Sequence, residues 1–361
     1  TSLDSLLPFS QTLGDQSNSR TGIVMIGCFN HSLDVQGLLN DLYPKMERTS
    51  RIVTVIYNPY LRWFYTLATY LGFRKGPLPT TFLRQTDLTN IARISGFELL
   101  RIRPVGYVPF RLFGLGTLIN RFLPTVPLLS WFSLAAVVVL RPIKAESRRL
   151  SLSVVIPARN EKGNIEAALQ RLPVIPGAKI EVLFVEGHST DGTWEEIQRV
   201  IPKYTHRFQI QAYQQTGKGK NDAVRLGFAK ATGDLLTILD ADLTMPPESL
   251  GRFYSAYMEG HADFINGNRL VYPMEGDAMR FLNWLGNVFF AKALSFVLSA
   301  RLGDSICGTK LLARHDYQRL VKWRRDFGDF DPFGDFELLF CAASLGFGIV
   351  NIPINYKSRS Y

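Results

Sequence analysis

Residues 152–240 alternate between short apolar runs and stretches of helical periodicity, and this alternation restricts the fold more than any other feature. The runs predict strands at Leu152–Ile156, Lys179–Glu186, Gln209–Tyr213 and Asp234–Asp240, and the intervening stretches predict helices at Glu161–Leu172, Gly192–Val200 and Lys220–Ala231. Such an order implies a largely parallel sheet covered by helices. Since ligands of these sheets bind at the carboxyl ends of the strands, the residues that follow each strand are the first candidates for a site.

Length and charge divide the chain. Its 361 residues suffice for two domains, and 46% hydrophobic with 20% charged residues indicates a folded chain that does not cross a membrane many times. Residues 1–150 carry 17 Lys or Arg and 8 Asp or Glu, a net +9, out of +10 for the whole chain. The shift near Lys144–Ser151 predicts a boundary between domains at 1–145 and 150–361. The excess positive charge favours anionic partners.

The three cysteines, Cys28, Cys307 and Cys341, are too few and too scattered for a disulfide framework or a zinc site. We therefore expect a reducing, cytoplasmic compartment or the cytoplasmic face of a membrane. The first 20 residues lack a signal-peptide pattern. Because Thr1 is not an initiator methionine and Tyr361 closely follows a strand-like run, we expect a fragment of a longer protein.

The first part of the chain also has a mixed α/β pattern. Strands are predicted at Gly22–Cys28, Arg51–Tyr57 and Phe97–Ile102, and helices at Val35–Met46, where Pro44 should end the helix early, and at Leu88–Ile94. The uncharged segment Pro124–Leu140 could cross a membrane. Its shortness and its two prolines favour a loop followed by a buried strand, Ser133–Leu140.

The strongest chemical signal is Asp240-Ala241-Asp242, directly after an apolar run. Along an extended chain these two carboxylates would point the same way. Their mutual repulsion would be relieved by a divalent cation, because Mg²⁺ and Mn²⁺ prefer oxygen ligands and often bind substrate phosphates as well. The alternative is a solvated turn.

Three further motifs follow predicted strands. Val155–Glu161 could hold a nucleotide, with Asn160 as an alternative helix cap. Glu186–Thr193 offers an acidic group for a nucleobase or ribose, although its His188 is better explained as a loop residue. Gly217–Ala223 places two lysines on a glycine-rich loop that enters a helix, which suits a diphosphate; a flexible surface loop is the alternative.

The order of these motifs, followed by Gly267-Asn268-Arg269, closely resembles family-2 glycosyltransferases of the GT-A fold. Dolichyl-phosphate mannose synthases and their bacterial polyprenyl-phosphate relatives are the nearest likeness, over Leu150–Tyr361. The resemblance implies an inverting hexosyltransferase with a UDP- or GDP-sugar donor and a bound Mg²⁺ or Mn²⁺. It implies a polyprenyl (dolichyl or undecaprenyl) phosphate as the acceptor, close to a membrane.

The resemblance also implies roles for individual residues. Asp240 and Asp242 match the metal-binding motif. The remaining donor-site positions correspond to Pro157, Arg159, Glu161, Glu186, Lys218 and Asp222. The sequence departs from the family pattern at two positions. Glu186 is a single acid where the family usually has two, so the resemblance does not fix the nucleobase, and Thr244 stands where mannosyl-phosphate synthases often have glutamine.

The acceptor could be a phosphate or a hydroxyl. Arg269 matches the arginine that helps to hold an acceptor phosphate, and Arg359 falls where those enzymes carry another basic group. A phosphate needs positioning more than deprotonation. A hydroxyl acceptor, as in polysaccharide or glycan synthesis, would need a general base, for which Asp335 and Glu337 are the candidates. Both could instead be ordinary acidic residues at the start of a helix, Phe336–Ser344.

Two further segments of the second part of the chain carry structural predictions. Ala278–Ala300 is apolar and aromatic, and is interpreted either as an interfacial amphipathic helix on a membrane or as a helix pair packed on the domain. Gly303–Lys310 is predicted to be a loop that returns to the site, with Cys307 as a structural residue.

Residues Gly22–Arg141 resemble the C-terminal half of a class I S-adenosylmethionine-dependent methyltransferase. The half that binds the cofactor is missing, so S-adenosylmethionine is not expected to bind here. The overall prediction is an α/β chain: a partial methyltransferase-like domain before a GT-A glycosyltransferase domain. A different hypothesis is that the N-terminal region acts only as a binding or scaffold module. The chain has no known nucleic-acid-binding motif, so nucleic acid is not expected as a partner.

Overall fold

The computed structural model describes residues 21–110, 112–273, 281–328 and 334–358, and the chain divides into two compact units, residues 1–144 and 145–361. Unit 1 contains a four-stranded sheet in the order β1-β2-β4-β3. Its strands are β1 (Gly22–Met25), β2 (Arg51–Tyr57), β3 (Phe97–Val105) and β4 (Ala135–Pro142). β1 and β2 are parallel, whereas β4 is antiparallel to both β2 and β3.

In the described part of unit 1, five α-helices accompany this sheet. They are α1 (Cys28–His31), α2 (Val35–Leu42), α3 (Arg62–Tyr70), α4 (Gln85–Ile94) and α5 (Leu115–Phe122). The buried side chains of α1, α2 and α4 pack on Ile52 and Leu140 of the sheet to form the core of unit 1. α2 ends at Leu42, two residues before Pro44, as the missing proline N–H predicts.

The uncharged segment Pro124–Leu140 is a pair of 3₁₀ turns followed by a strand. The turns span Leu123–Thr125 and Pro127–Phe132, and β4 begins at Ala135. The prediction of a loop followed by a strand is thus confirmed. Among the described helices, none combines the length and apolar character needed to cross a membrane.

Unit 2 contains a seven-stranded sheet in the order β11-β9-β10-β8-β5-β6-β7. Its strands are β5 (Leu152–Ala158), β6 (Ile180–Glu186), β7 (Gln209–Gln214), β8 (Leu235–Ile238), β9 (Phe264–Asn268), β10 (Lys310–Ala313) and β11 (Ile349–Pro353). β10 alone runs antiparallel to its neighbours, β8 and β9. The predicted α/β class and largely parallel sheet are confirmed.

Helices cover both faces of this sheet. They are α6 (Ile165–Arg171), α7 (Thr193–Tyr204), α8 (Lys220–Lys230), α9 (Leu250–Met258), α10 (Phe281–Leu298), α11 (Arg314–Phe327) and α12 (Asp335–Ser344). Along β5, Val154 and Ile156 belong to one core cluster and Val155 to the other. Both faces are therefore apolar, which explains why the central strands are continuous hydrophobic runs.

Three predictions of local structure are corrected. The sequence did not indicate β10, because four residues without alternation carry no strand signal. Asp240–Leu243 is a turn rather than an extended run: the Leu243 N–H donates to the Asp240 carbonyl (3.2 Å). The apolar segment 278–300 contains a single helix, α10, in place of a helix pair; its first three residues lie outside the described part of the chain.

Two helical glycines provide a matched test of packing. A Cβ at Gly227 of α8 would lie 2.4 Å from Cγ1 of the buried Val155, whereas a Cβ at Gly251 of α9 meets nothing within 4 Å. Gly227→Ala should lower the free energy of unfolding by about 1–3 kcal/mol through overpacking. Gly251→Ala should raise it by up to about 1 kcal/mol through helix propensity. Chemical denaturation followed by circular dichroism measures both, and equal effects would contradict this packing.

Candidate active site

The parallel topology brings the carboxyl ends of β5, β6, β7 and β8 to one edge of the sheet, where a cavity of about 290 Å³ opens. Among the residues predicted from the sequence, five line this cavity: Pro157, Arg159, Glu161, Asp240 and Asp242. Lys220, the second lysine of the glycine-rich loop, and Gln215 also contribute to its wall.

The loops after β5 and β6 hold each other by hydrogen bonds. The Asn160 N–H donates to Ser189 Oγ (3.0 Å), and the Glu161 N–H donates to Thr193 Oγ1 (2.9 Å). Asn160 does not cap the following helix; its side-chain Oδ1 accepts from the Thr190 N–H (2.9 Å), and its φ is 54°. These hydrogen bonds therefore join the two motifs beside the cavity, and Arg159, Glu161 and Gly187 of the two loops line it.

Glu186 does not line the cavity. Its buried carboxylate accepts hydrogen bonds from the Ser189 N–H (2.5 Å) and from Gln214 Nε2 (3.3 Å). Burial alone would raise the pKa of Glu186, but these hydrogen bonds outweigh it and lower the pKa. The predicted contact between this acid and a nucleotide is thus replaced by a structural role in the loop.

The glycine-rich loop before α8 presents a different lysine from the one predicted. Lys218 is exposed and lies outside the cavity wall, and Asp222 holds the loop by accepting from the Gly217 N–H (3.2 Å). Lys220, the first residue of α8, faces the cavity instead. The sequence Gly217-Lys218-Gly219-Lys220 contains two lysines that could reach a diphosphate. The structure shows that Lys220 is the one that faces the cavity.

Lys220 forms an ion pair with Asp240, with 2.5 Å between Nζ and Oδ1. Burial alone would lower the pKa of Lys220, but the carboxylates of Asp240 and Asp335 raise it above its usual value, so the ammonium persists. Asp242 Oδ1 accepts from the N–H (3.2 Å) and the hydroxyl (2.9 Å) of Thr244. The turn therefore brings both carboxylates to the cavity although it is not extended.

Gly308 is the point where the loop before β10 meets this pair. A Cβ there would lie 2.3 Å from both Asp240 Oδ2 and Lys220 Nζ. The predicted return of residues 303–310 to the site is present in the structure. The neighbouring Cys307 is buried, and burial raises the pKa of its thiol to about 12, which keeps it protonated and favours its structural interpretation.

The donor set suits a hard divalent cation only in part. Within the described ranges, no group of three or more His, Cys, Asp or Glu side chains is arranged to hold a metal. Two carboxylates at a cavity wall nevertheless match the way Mg²⁺ is bound together with substrate phosphates and water. Asp240 and Asp242 therefore fit a metal that shares its coordination sphere with a diphosphate.

Arg269 follows β9 at the same edge of the sheet and is held by Asp304. Its Nε and Nη2 donate to the two oxygens of that buried carboxylate at 2.7 and 2.9 Å. Burial would raise the pKa of Asp304, but the Arg269 guanidinium lowers it. Asn287 of α10 donates to the same carboxylate (2.9 Å), and Tyr356 lies against the Arg269 guanidinium, 5.2 Å from Cζ to the ring centroid. Arg359, the second predicted basic group, lies outside the described residues.

The two candidate general bases are both ion-paired. Asp335 opens α12 and lies 2.6 Å from Nζ of the fully buried Lys310. Glu337 is buried between Arg225 and Arg324, with Arg324 Nε at 2.6 Å, and it does not line the cavity. Its two ion pairs and its place outside the cavity wall favour a structural role for Glu337 over that of a general base.

Helix α10 exposes apolar side chains to solvent. The most exposed are Leu282, Phe289 and Val297, while Asn287 and Ala291 are buried. Lys292 is the one charged residue within its bounds, Phe281–Leu298. The predicted amphipathic pattern is corrected, because α10 is apolar on its outer face as well as on its inner one.

Comparison with known proteins finds a family model that matches part of unit 2. Residues 153–320 match the family model described as glycosyl transferase family 2. This match agrees with the resemblance predicted from the ordered motifs and confirms the predicted enzyme class, a glycosyltransferase. The resemblance of unit 1 to a methyltransferase stays a prediction.

Three similar proteins illustrate the range of relatives. A dolichol-phosphate mannosyltransferase of Pyrococcus furiosus is 35% identical over 34% of this chain and 34% of its own. A dolichyl-phosphate hexose transferase of Haloferax volcanii is 28% identical over 58% of this chain and 84% of its own. The crystal structure of glucosyl-3-phosphoglycerate synthase from Mycobacterium tuberculosis with Mn²⁺, UDP and glucosyl-3-phosphoglycerate aligns over 59% of this chain and 72% of that one, at 18% identity and a TM-score of 0.44.

The structural role of Glu337 can be tested by removing its charge. Glu337→Gln removes the carboxylate charge that pairs with both Arg225 and Arg324, so the free energy of unfolding should fall by about 3 kcal/mol. Glu195→Gln, at an exposed position, should change it by less than about 0.5 kcal/mol. Thermal or urea denaturation measures both variants. If Glu337→Gln kept full stability and lost sugar transfer, Glu337 would be catalytic after all.

Proposed function

We infer that this chain, whose residues 153–320 form a glycosyltransferase family 2 domain, transfers a sugar from a nucleotide-sugar donor to a lipid phosphate. The observation that carries the inference is the pair of carboxylates, Asp240 and Asp242, at the wall of a cavity that also receives the Lys220 ammonium. The names of the relatives from Pyrococcus and Haloferax, both dolichol-phosphate transferases, support the same acceptor class.

The donor diphosphate would bind between these charged groups. Mg²⁺ or Mn²⁺ held by Asp240 and Asp242 would neutralise negative charge on the departing diphosphate. Lys220 begins α8, so its ammonium and the helix N-terminus offer positive potential at one wall of the same cavity. Arg159 lines the cavity too and supplies a further positive charge for the phosphates.

Gln215 is the residue that we assign to recognition of the nucleoside. Its Nε2 donates to the Gly217 carbonyl (3.3 Å), while its buried Oε1 has no hydrogen-bond partner in the described part of the chain. An unpaired buried acceptor is costly unless a ligand satisfies it. A donor N–H or O–H of the base or ribose would do so, and this role is not available to Glu186, whose carboxylate is held by Ser189 and Gln214.

Arg269 is the residue that we assign to the acceptor phosphate. Asp304 fixes its guanidinium through Nε and Nη2, which orients the group before the acceptor arrives. A phosphate oxygen is already anionic and can attack the anomeric carbon without a base, on the face opposite the leaving diphosphate, which inverts the configuration there. Asp335 and Glu337, the candidate bases for a hydroxyl acceptor, are both ion-paired and neither lines the cavity, which favours a phosphate acceptor.

The exposed apolar side chains of α10 support peripheral contact with the membrane that holds such an acceptor. Asn287 on the inner side of α10 donates to Asp304, so this helix is linked through one carboxylate to Arg269. A site that uses nucleotide sugars beside a lipid phosphate is consistent with the cytoplasmic face of a membrane.

Unit 1 remains assigned to a partial class I methyltransferase fold. The stretches that resemble that family form one sheet, in which the last strand, β4, lies between β2 and β3. S-adenosylmethionine is not part of the proposed activity, since the resemblance covers only the half of the fold that does not bind it.

The metal site predicts a specific loss of activity. Asp240→Asn and Asp242→Asn should each lower metal-dependent release of nucleoside diphosphate by about 100-fold or more, because each removes a negative oxygen ligand. Asp41→Asn, an exposed position in unit 1, is the control and should behave as wild type. The assay is product release with Mn²⁺, with Mg²⁺ and with EDTA. Undiminished activity of both site variants would refute the assignment.

The acceptor site predicts a separation of two activities. Arg269→Ala should lower transfer to polyprenyl phosphate by about 100-fold while donor binding changes little, since Arg269 is assigned to the acceptor and does not line the cavity proposed for the donor. Because the buried Asp304 would then be unpaired, Arg269→Lys is the second variant; it retains the charge without the bidentate geometry and should lose less. Arg314→Ala, at an exposed position, is the control. Parallel loss of donor binding in both Arg269 variants would contradict this role.

A further inference from the structure

Two segments of unit 1 leave the same edge of its sheet. β2 ends at Tyr57 opposite Ala135, where β4 begins, and β3 ends at Val105 opposite the same residue. The segments that follow these strands, residues 58–84 up to the start of α4 and residues 106–134 up to the start of β4, therefore both lie at this edge; together they are called the basic rim. Asn58 Nδ2 joins them by donating to the carbonyls of Trp131 (2.8 Å) and Ser133 (2.7 Å).

The basic rim exposes large apolar and aromatic side chains. Trp63 of α3 is 63% exposed and Trp131 is 79% exposed. Other exposed members are Tyr60, Leu67, Tyr70, Leu71, Phe73 and Phe110, and the rings of Phe73 and Phe110 meet edge to face at 6.3 Å. Exposed apolar groups gathered at one edge of a unit indicate an interaction surface rather than the usual scatter of single residues.

The charge of the basic rim has one sign. Its sequence contains six Lys or Arg residues and no Asp or Glu. Arg62, Lys75, Arg84 and Arg121 are exposed. Arg62 lies with Trp63, Leu67 and Tyr70 around one shallow depression, and its guanidinium is 5.6 Å from the centroid of the Phe82 ring. Positive charge is thus interspersed with the apolar groups, so the partner should be anionic and apolar at once.

We propose that the basic rim docks unit 1 on an anionic lipid bilayer. Tryptophan and tyrosine favour the level of the lipid headgroups, and arginine and lysine pair with anionic headgroups while their stems cover apolar surface. Exposed leucines such as Leu67 and Leu71 fit acyl chains and have no stacking partner in a nucleic acid. The proposal is independent of the transfer reaction, because it concerns unit 1 and its test measures no activity.

Vesicle sedimentation of the full chain tests the charge of the surface. Wild type should bind vesicles containing about 30% phosphatidylglycerol more tightly than pure phosphatidylcholine, and the difference should shrink in about 1 M salt, where the Debye length is about 3 Å. Lys75→Glu with Arg84→Glu should weaken binding to the anionic vesicles by at least roughly 30-fold, the loss expected from removing two basic charges alone. Lys45→Glu with Arg93→Glu is the matched control, since both residues are exposed and precede strands at the opposite edge of the sheet.

Insertion is tested separately from charge. Trp63→Ala should weaken binding by about tenfold through lost apolar burial, whereas Ile94→Ala, 69% exposed at the far end of α4, should not. Binding that is lost on truncating Leu282 and Phe289 of α10 but retained in both rim variants would overturn the proposal. Failure of the wild-type chain to bind anionic vesicles would overturn it too, as would tighter binding to single-stranded RNA than to vesicles.

Discussion

The central position of β5 between β6 and β8 is the constraint on which the candidate site depends. Its register pairs Leu152 with Ile180 on one side and with Leu235 on the other, and all three strands run in the same direction. Their carboxyl ends therefore meet at one edge, and residues from Pro157 to Asp242 reach one cavity although they are far apart along the chain. Without this register the two acidic residues after β8 would be an ordinary surface turn.

The ion pairs in or near the site fall into two classes, those that are buried and those that are partly exposed at the cavity wall. Arg269, Lys310 and Glu337 are buried, and each is paired with an opposite charge. Such pairs are costly to break and orient neighbouring groups, so they serve to shape the site. Lys220 and Asp240 are also paired, but both remain partly exposed at the cavity wall, where an incoming diphosphate or cation can compete for them.

The sequence predicted those parts of the structure that depend on local periodicity. Arg51–Tyr57 was predicted to the residue because its β-branched run is read directly as a strand. β10 was missed, since its four residues acquire strand geometry only by pairing with β8 and β9.

At the site, Asp240 and Asp242 could be identified because they are adjacent to a strand, whereas the choice of Lys220 over Lys218 depends on the rotation of α8. Long-range ion pairs such as that of Glu337 with Arg225 have no sequence signal at all.

Helix α10 and the basic rim both expose apolar side chains, but they differ in charge. Helix α10 presents leucine and phenylalanine with one lysine, whereas the basic rim of unit 1 combines similar groups with six basic residues. Apolar contact alone does not distinguish one bilayer from another, but positive charge selects anionic lipids and acts over about a Debye length. If the basic rim binds an anionic bilayer as proposed, most of the net positive charge of the chain serves to bind that bilayer. The reaction itself relies on a few placed charges, because a site that held many cations would bind diphosphate product as tightly as donor and release it slowly.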